Sequence, residues 1–323
     1  MARTGTLLTA SVLIGAAALV FLPFRKELRR AHDSACRGGT VVDTVAGPIE
    51  YAEKGAGIPL LSIHGAGGGY DQGLANVIDL VGEGFRVIAP SRFGYLGASI
   101  PADISPAAQA DAHAALLAKL KVNKAIVVGV SAGARSALEL AIRHPDRVAA
   151  LVLIVPGTYS PTTPVSVEAS RGSKFAFWLV NAGADFTWWA IEKIAPSVLI
   201  RFIGVRPELV AASPKVEQDR VMQIVKSIEP LSRRFTGINF DSNPDLHPLP
   251  LERIGAPTFI ISARDDLFNT LPAAEFAAGK IPGAKLIVYD TGGHLMVGRQ
   301  QEVREALRSF LAGAHQTPTS QVA

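Results

Sequence analysis

Cysteine is almost absent from this sequence. The one thiol, Cys36, cannot close an intrachain disulfide, and nothing resembles a cysteine metal site. Charge is sparse as well. Asp, Glu, Lys and Arg make up 19% of the 323 residues against 48% hydrophobic, so wholesale disorder is excluded and a sizeable core can form. There is no internal repeat. There is also no G-K-[ST], and no G-x-G-x-x-G with a downstream acid, which leaves a nucleotide phosphate loop without support. No metal or organic cofactor is implied.

The net charge of +4 is not spread over the chain. Arg3, Arg25, Lys26, Arg29, Arg30 and Arg37, against Glu27 and Asp33, account for all of it within residues 1–37. The rest of the chain is neutral, which argues against a nucleic-acid face.

What the sequence does have, first, is a long uncharged run. Thr4 to Phe24 is 21 residues without a charge. As a helix it would span ~31 Å, about the thickness of a bilayer's hydrocarbon core. Residues 1–30 are therefore read as a single-pass membrane anchor, residues 4–24, with its basic flank. The flank places the catalytic body on the cytoplasmic side. The alternative is a signal peptide, cleaved to release a secreted protein; the basic cluster after the run and the lack of a small-x-small site speak against it.

The body reads as α/β. A hairpin spans 38–57 around Gly47-Pro48. Short apolar runs follow at Pro59–Ile63, Phe85–Ala89, Ala125–Gly129, Val148–Val155, Thr258–Ser262 and Lys285–Tyr289. Helical stretches at Leu74–Val81, Ser105–Leu120 and Ala132–Arg143 separate the earlier ones. Continuous apolar strands alternating with helices imply a mostly parallel sheet covered on both faces. Between 158 and 248 the alternation stops, and an aromatic-containing stretch of helical pattern takes over. The expected organisation is a core of 38–157 and 249–314, a helical cap at 158–248, and a disordered polar tail at 316–323.

Gly129-Val130-Ser131-Ala132-Gly133 carries the chemistry. It is G-x-S-x-G, directly after an apolar run and directly before a helix, the setting of a nucleophile elbow. Small residues are needed there because the turn is strained and packed against strand and helix. His64-Gly65-Ala66-Gly67-Gly68-Gly69 follows another strand. Its glycines let backbone N–H groups approach a ligand, so Ala66 and Ala132 are the candidate oxyanion donors. His64 is read as bridging loop backbones, not as a base.

Seven histidines compete for the base: 32, 64, 113, 144, 247, 294 and 315. Only His294 lies on a glycine-rich loop after a late strand, where it could swing onto a serine. The acid must orient that imidazole, and Asp265 and Asp266 both lie just after the Thr258–Ser262 strand. The order along the chain is then Ser, Asp, His.

With the His64-Gly65-Ala66-Gly67 loop, the Ser131 elbow, the His144-Pro145-Asp146-Arg147-Val148 run, the Asp265-Asp266 pair and Gly292-Gly293-His294, the chain resembles the α/β-hydrolase superfamily over about residues 40–314. The resemblance implies an α/β-hydrolase fold with the insertion in the cap position. It aligns Ala263 with the family's usual glycine of G-x-x-D, and so Asp266 with the triad acid, Asp265 being the alternative. It implies a serine hydrolase that cleaves a small, apolar carboxylic ester through an acyl-enzyme. Trp178, Trp188 and Trp189 are candidate substrate contacts, with cap packing as their bland reading. The alternatives are a cofactor-free haloperoxidase, a carbon–carbon bond hydrolase, and a non-catalytic binding member of the fold. The carbon–carbon hydrolases usually carry Asn before the serine, where this chain has Val130.

Overall fold

The computed structural model describes residues 2–162, 185–242 and 244–316. Its eight strands are β1 Thr40–Thr44, β2 Gly47–Lys54, β3 Ile58–Ile63, β4 Phe85–Pro90, β5 Ala125–Val130, β6 Val148–Ile154, β7 Thr258–Ala263 and β8 Lys285–Tyr289. They form one sheet in the order β1-β2-β4-β3-β5-β6-β7-β8. β1 and β2 pair antiparallel, as do β2 and β4, and every other pair is parallel.

The strand chemistry explains the layers. Side chains alternate across a sheet, so an unbroken apolar strand must be covered on both faces. Leu61, Val127, Leu153 and Ile260 face one core, shared with α3 (Pro106–Lys119), α4 (Gly133–Arg143) and α10 (Leu271–Lys280). Their neighbours Leu60, Val128, Val152 and Ile261 face the other, under α2 (Tyr70–Val81) and α11 (Gln300–Gln316). All eight of these side chains are fully buried. At ~25 cal/mol per Å² of apolar surface, each is worth ~1.5–3 kcal/mol of hydrophobic stabilisation before entropy is counted.

The order also locates the site. From β3 the chain moves outward to β4, then returns to the other side of β3 to lay down β5. The winding direction reverses between β3 and β5, and a ligand crevice opens at the carboxyl ends of strands at such a point. The loop after β3 begins at His64, and the turn after β5 carries Ser131.

Between β6 and β7 lie α5 Asp185–Ile194, α6 Pro196–Phe202, α7 Pro207–Ala211, α8 Lys215–Ser227 and α9 Phe235–Ser242. They share an apolar cluster of their own, with Trp188, Val205, Val221 and Val225 buried in it. Apart from Gln316, the expected tail lies outside the described residues.

The N-terminal reading needs correction. The uncharged run is part of α1, a 36-residue helix from Ala2 to Arg37 that continues through the basic segment. Among the described residues no helix is long and apolar enough to cross a membrane. The single-pass anchor and the membrane localisation drawn from it are therefore set aside. The physical reason is visible in the second half of α1, which docks on the protein. Phe24 is buried, edge-on to Phe186 at 5.1 Å and 5.6 Å from Trp189. Glu27 accepts the Trp189 indole N–H at 3.0 Å and pairs with Lys193 at 2.8 Å. The Tyr70 hydroxyl donates to the Ala35 carbonyl at 3.0 Å.

Candidate active site

Ser131 occupies the turn between β5 and α4 with φ +52°, a left-handed conformation that costs a non-glycine residue free energy. The two glycines of the motif make that turn possible. A Cβ at Gly129 would lie 2.6 Å from the Ala137 Cβ, and one at Gly133 would lie 2.5 Å from the carbonyl oxygens of Ile63 and His64. The turn is held by its backbone: the Ser131 N–H donates to Ile154 O at 2.9 Å, and Ser131 O accepts from Gly157 N at 3.0 Å.

The loop after β3 closes over the serine. A Cβ at Gly65 would lie 3.1 Å from the Ser131 Cβ. His64 is fully buried; its Nδ1 donates to Gly65 O at 2.7 Å, and its Nε2 accepts the Arg92 amide at 3.0 Å. Burial, helped by the Arg92 charge, holds its pKa well below the ordinary histidine value, so it is a neutral strut between loops. Among the described residues the amides of Ala66 and Ala132 have no hydrogen-bond acceptor. Ala66 is exposed and Ala132 is buried.

Asp266 follows β7 and His294 follows β8, both at the sheet edge that carries Ser131. His294 Nδ1 donates to Asp266 Oδ2 at 2.9 Å. The carboxylate also accepts from the Phe268 amide at 2.9 Å and from the Thr270 hydroxyl. Burial alone would raise its pKa, but His294 and these hydrogen bonds bring it below the ordinary value, so it is an anion at neutral pH. The imidazole is backed by the Phe268 ring, edge-on at 4.6 Å. Asp265 points elsewhere and accepts the Gly293 amide at 2.8 Å. No direct hydrogen bond joins Ser131 Oγ to His294 among the described residues, as is common before a substrate tightens such a site.

The three tryptophans are not gathered there. Trp178 lies outside the described residues. Trp188 packs edge-on to Phe202 at 5.7 Å inside the helical insertion, and Trp189 faces α1. A cavity of about 240 Å³ borders Ala132 instead, walled by Phe93, Tyr95, Ile104, Arg135 and Phe240.

Sequence reasoning missed a buried polar group beside this cavity: Arg92, Tyr95, Arg135 and Asp241. Arg135 could have been noticed, one helical turn after Ser131. Asp241 had no local signal, because its partners lie 106 and more residues away.

Comparison with known proteins agrees with this architecture. The family described as alpha/beta hydrolase fold matches residues 58–298. The 2-hydroxymuconate semialdehyde hydrolase of Pseudomonas putida is 27% identical over 81% of this chain and 90% of its own length. The 2-hydroxy-6-oxo-6-phenylhexa-2,4-dienoate hydrolase of Comamonas testosteroni is 26% identical over 76% of this chain and 84% of its own. Among solved structures, an alpha/beta hydrolase fold protein from Nakamurella multipartita superposes with a TM-score of 0.68 at 27% identity, covering 85% of this chain and 99% of that one. An esterase from Exiguobacterium antarcticum, at 22% identity and a TM-score of 0.61 over 86% of this chain and 100% of that one, shares the fold. With its parallel sheet, its strained serine turn and these relatives, the chain belongs to the alpha/beta hydrolase fold family and is a hydrolase.

Proposed function

We propose that Ser131, His294 and Asp266 are the nucleophile, base and orienting acid of an acyl-cleaving hydrolase. The observation that carries this reading is the Asp266–His294 pair on the same sheet edge as a serine in a left-handed turn. His294 takes the Ser131 proton as Oγ attacks a carbonyl carbon. The Ala66 and Ala132 amides, which have no other acceptor among the described residues, stabilise the oxyanion. As the oxyanion collapses, the bond to the leaving group breaks and His294 delivers the proton to it. Water, deprotonated by His294, then releases the acid from Ser131. The helical insertion is the cap that shields these steps from bulk water.

The bond cleaved is a carbon–carbon bond beside the carbonyl of a small molecule. The names of the Pseudomonas and Comamonas relatives support this choice. A carbon leaving group departs by this route when a conjugated second carbonyl holds its electrons as an enolate. A carboxylic ester is the second reading, favoured by Val130. The residue before the nucleophile is a hydrocarbon, so the elbow offers no extra proton donor to a carbon leaving group, whereas an alkoxide needs only His294.

A fluorophosphonate probe tests the shared chemistry. Wild-type protein is expected to label on Ser131, and Ser131→Ala to stay unlabelled. Absence of labelling in the intact protein would overturn the reading. A panel of conjugated 1,5-dicarbonyl acids and simple esters then separates the two bonds by which class turns over faster.

A further inference from the structure

We infer that Asp241 is a positioning residue that fixes the oxyanion-binding backbone from the helical insertion, an inference that rests on the Ser131 reading above. Asp241 sits near the end of α9, and its side chain is 7% exposed. Three side chains of the core converge on it. Arg92 grips both carboxylate oxygens, with Nη1 3.0 Å from Oδ1 and Nη2 on Oδ2. Arg135 Nη1 donates to Oδ1 at 3.3 Å, and the Tyr95 hydroxyl donates to Oδ2 at 2.5 Å.

Each partner has a second arm, and each second arm holds a loop around Ser131. Arg92 Nε donates to the His64 carbonyl at 2.9 Å, and the Arg92 amide donates to His64 Nε2. The Tyr95 hydroxyl accepts the Gly67 amide at 3.4 Å. These contacts flank Ala66 on both sides along the chain. Arg135 Nε donates to the Gly157 carbonyl at 2.8 Å. Gly157 in turn donates to Ser131 O, and a Cβ there would come within 3.4 Å of the Ala132 nitrogen. The donor on the β3 loop is thus set through Arg92 and Tyr95, and the donor in the turn before α4 through Arg135. One carboxylate ties both settings together.

The electrostatics favour this arrangement. Burial would raise the Asp241 pKa, but the two guanidiniums hold it below the ordinary carboxylate value, so the hub is an anion. An oxyanion hole works only if its donors are fixed before charge develops, since donors that must move into place lose their advantage. A largely buried carboxylate braced by two cations and a phenol is a stiff anchor of that kind.

Phosphonylation of Ser131 also builds charge on oxygen, so the fluorophosphonate reports the hole without a known substrate. In Asp241→Asn the maximal labelling rate is expected to fall about 100-fold, the scale of losing one oxyanion donor. The probe concentration at half-maximal rate should stay within about threefold, because ground-state binding does not use the hole. Asp241→Asn leaves two buried guanidiniums without an anion, so it can fail to fold. Tyr95→Phe keeps both guanidiniums and the carboxylate and removes the hydroxyl that links Asp241 to the Gly67 amide, and its expected loss is about tenfold with the same split. Affinity for a trifluoromethyl ketone, which forms a tetrahedral adduct, should fall in parallel with the labelling rate. The inference is overturned if folded Tyr95→Phe labels and binds the ketone as wild type does, or if only the half-saturating concentration changes. Should wild-type protein itself fail to label, the Ser131 reading falls first; labelled wild type with indifferent variants defeats the Asp241 inference alone.

Discussion

Asp265 and Asp266 are chain neighbours with different partners. Asp266 is buried against His294, while Asp265 caps the Gly293 amide from a more exposed position. Substituting each with Asn removes one negative charge and keeps the shape. For Asp266→Asn the expected loss in the Ser131 labelling rate is about 10³–10⁴-fold, because the imidazole loses both its orientation and the charge that stabilises its protonated form. For Asp265→Asn it is about tenfold or less, since only a loop contact weakens. Equal losses would show that the two carboxylates share the work. The same carboxylate couples stability to acid. Its folded pKa lies below its unfolded one, so its stabilising contribution is present at neutral pH and is lost as pH falls through the folded value.

At the scale of elements, α1 is where composition misleads. Its apolar run has the length of a membrane span, yet the helix continues past Pro23 and ends in contacts with α2 and α5. The docking residue Phe24 is indistinguishable in sequence from the half-exposed Phe21. Truncating a buried Phe to Ala costs about 3 kcal/mol, so Phe24→Ala should raise the undocked population of α1 by about 100-fold. Trypsin acting within Arg25–Arg30 reads that population, and cleavage there should accelerate in Phe24→Ala while Phe21→Ala behaves as wild type. Identical cleavage in all three proteins would mean that Phe24 does not hold the helix. Elements with a strong local period were legible in the sequence: each expected strand forms, because unbroken apolar runs bounded by turns have few other ways to be buried. The elbow was legible because Gly129 and Gly133 are steric requirements of the turn. Strand order was not, since nothing local says that β4 lies between β2 and β3. Asp241 was hidden for a similar reason. A lone acid near a helix end acquires its meaning only when Arg92 and Arg135 arrive from distant parts of the chain.

For the whole molecule, buried groups of opposite kind set the response to acid. His64 and His113 are fully buried, and desolvation keeps both neutral, with the His113 pKa pushed down to about 3 from an ordinary 6.5. Glu229 goes the other way. Burial, with Glu192 nearby, raises its pKa to about 7 from 4.5. Between pH 4.5 and 6.5 the unfolded chain therefore binds a proton on His113 that the folded protein lacks, and the folded protein holds one on Glu229 that the unfolded chain has lost. The histidine effect makes stability rise with pH and the glutamate effect makes it fall. Each fully expressed proton contributes a slope of about 1.4 kcal/mol per pH unit. Glu229 is partly exposed, and solvent screening reduces its share to below about 1 kcal/mol per pH unit. His113→Gln should then lower the slope of unfolding free energy against pH by about 1.4 kcal/mol per unit across this window. Glu229→Gln should steepen it by a smaller amount of opposite sign. Denaturant unfolding at three pH values between 4.5 and 6.5 measures both. The unfolded-state protons of other groups are common to wild type and variant, so the difference in slope isolates the substituted residue. A His113→Gln slope parallel to wild type would mean that the imidazole accepts a proton inside the fold, between α3 and Ser136 of α4, where its Nδ1 has no partner among the described residues.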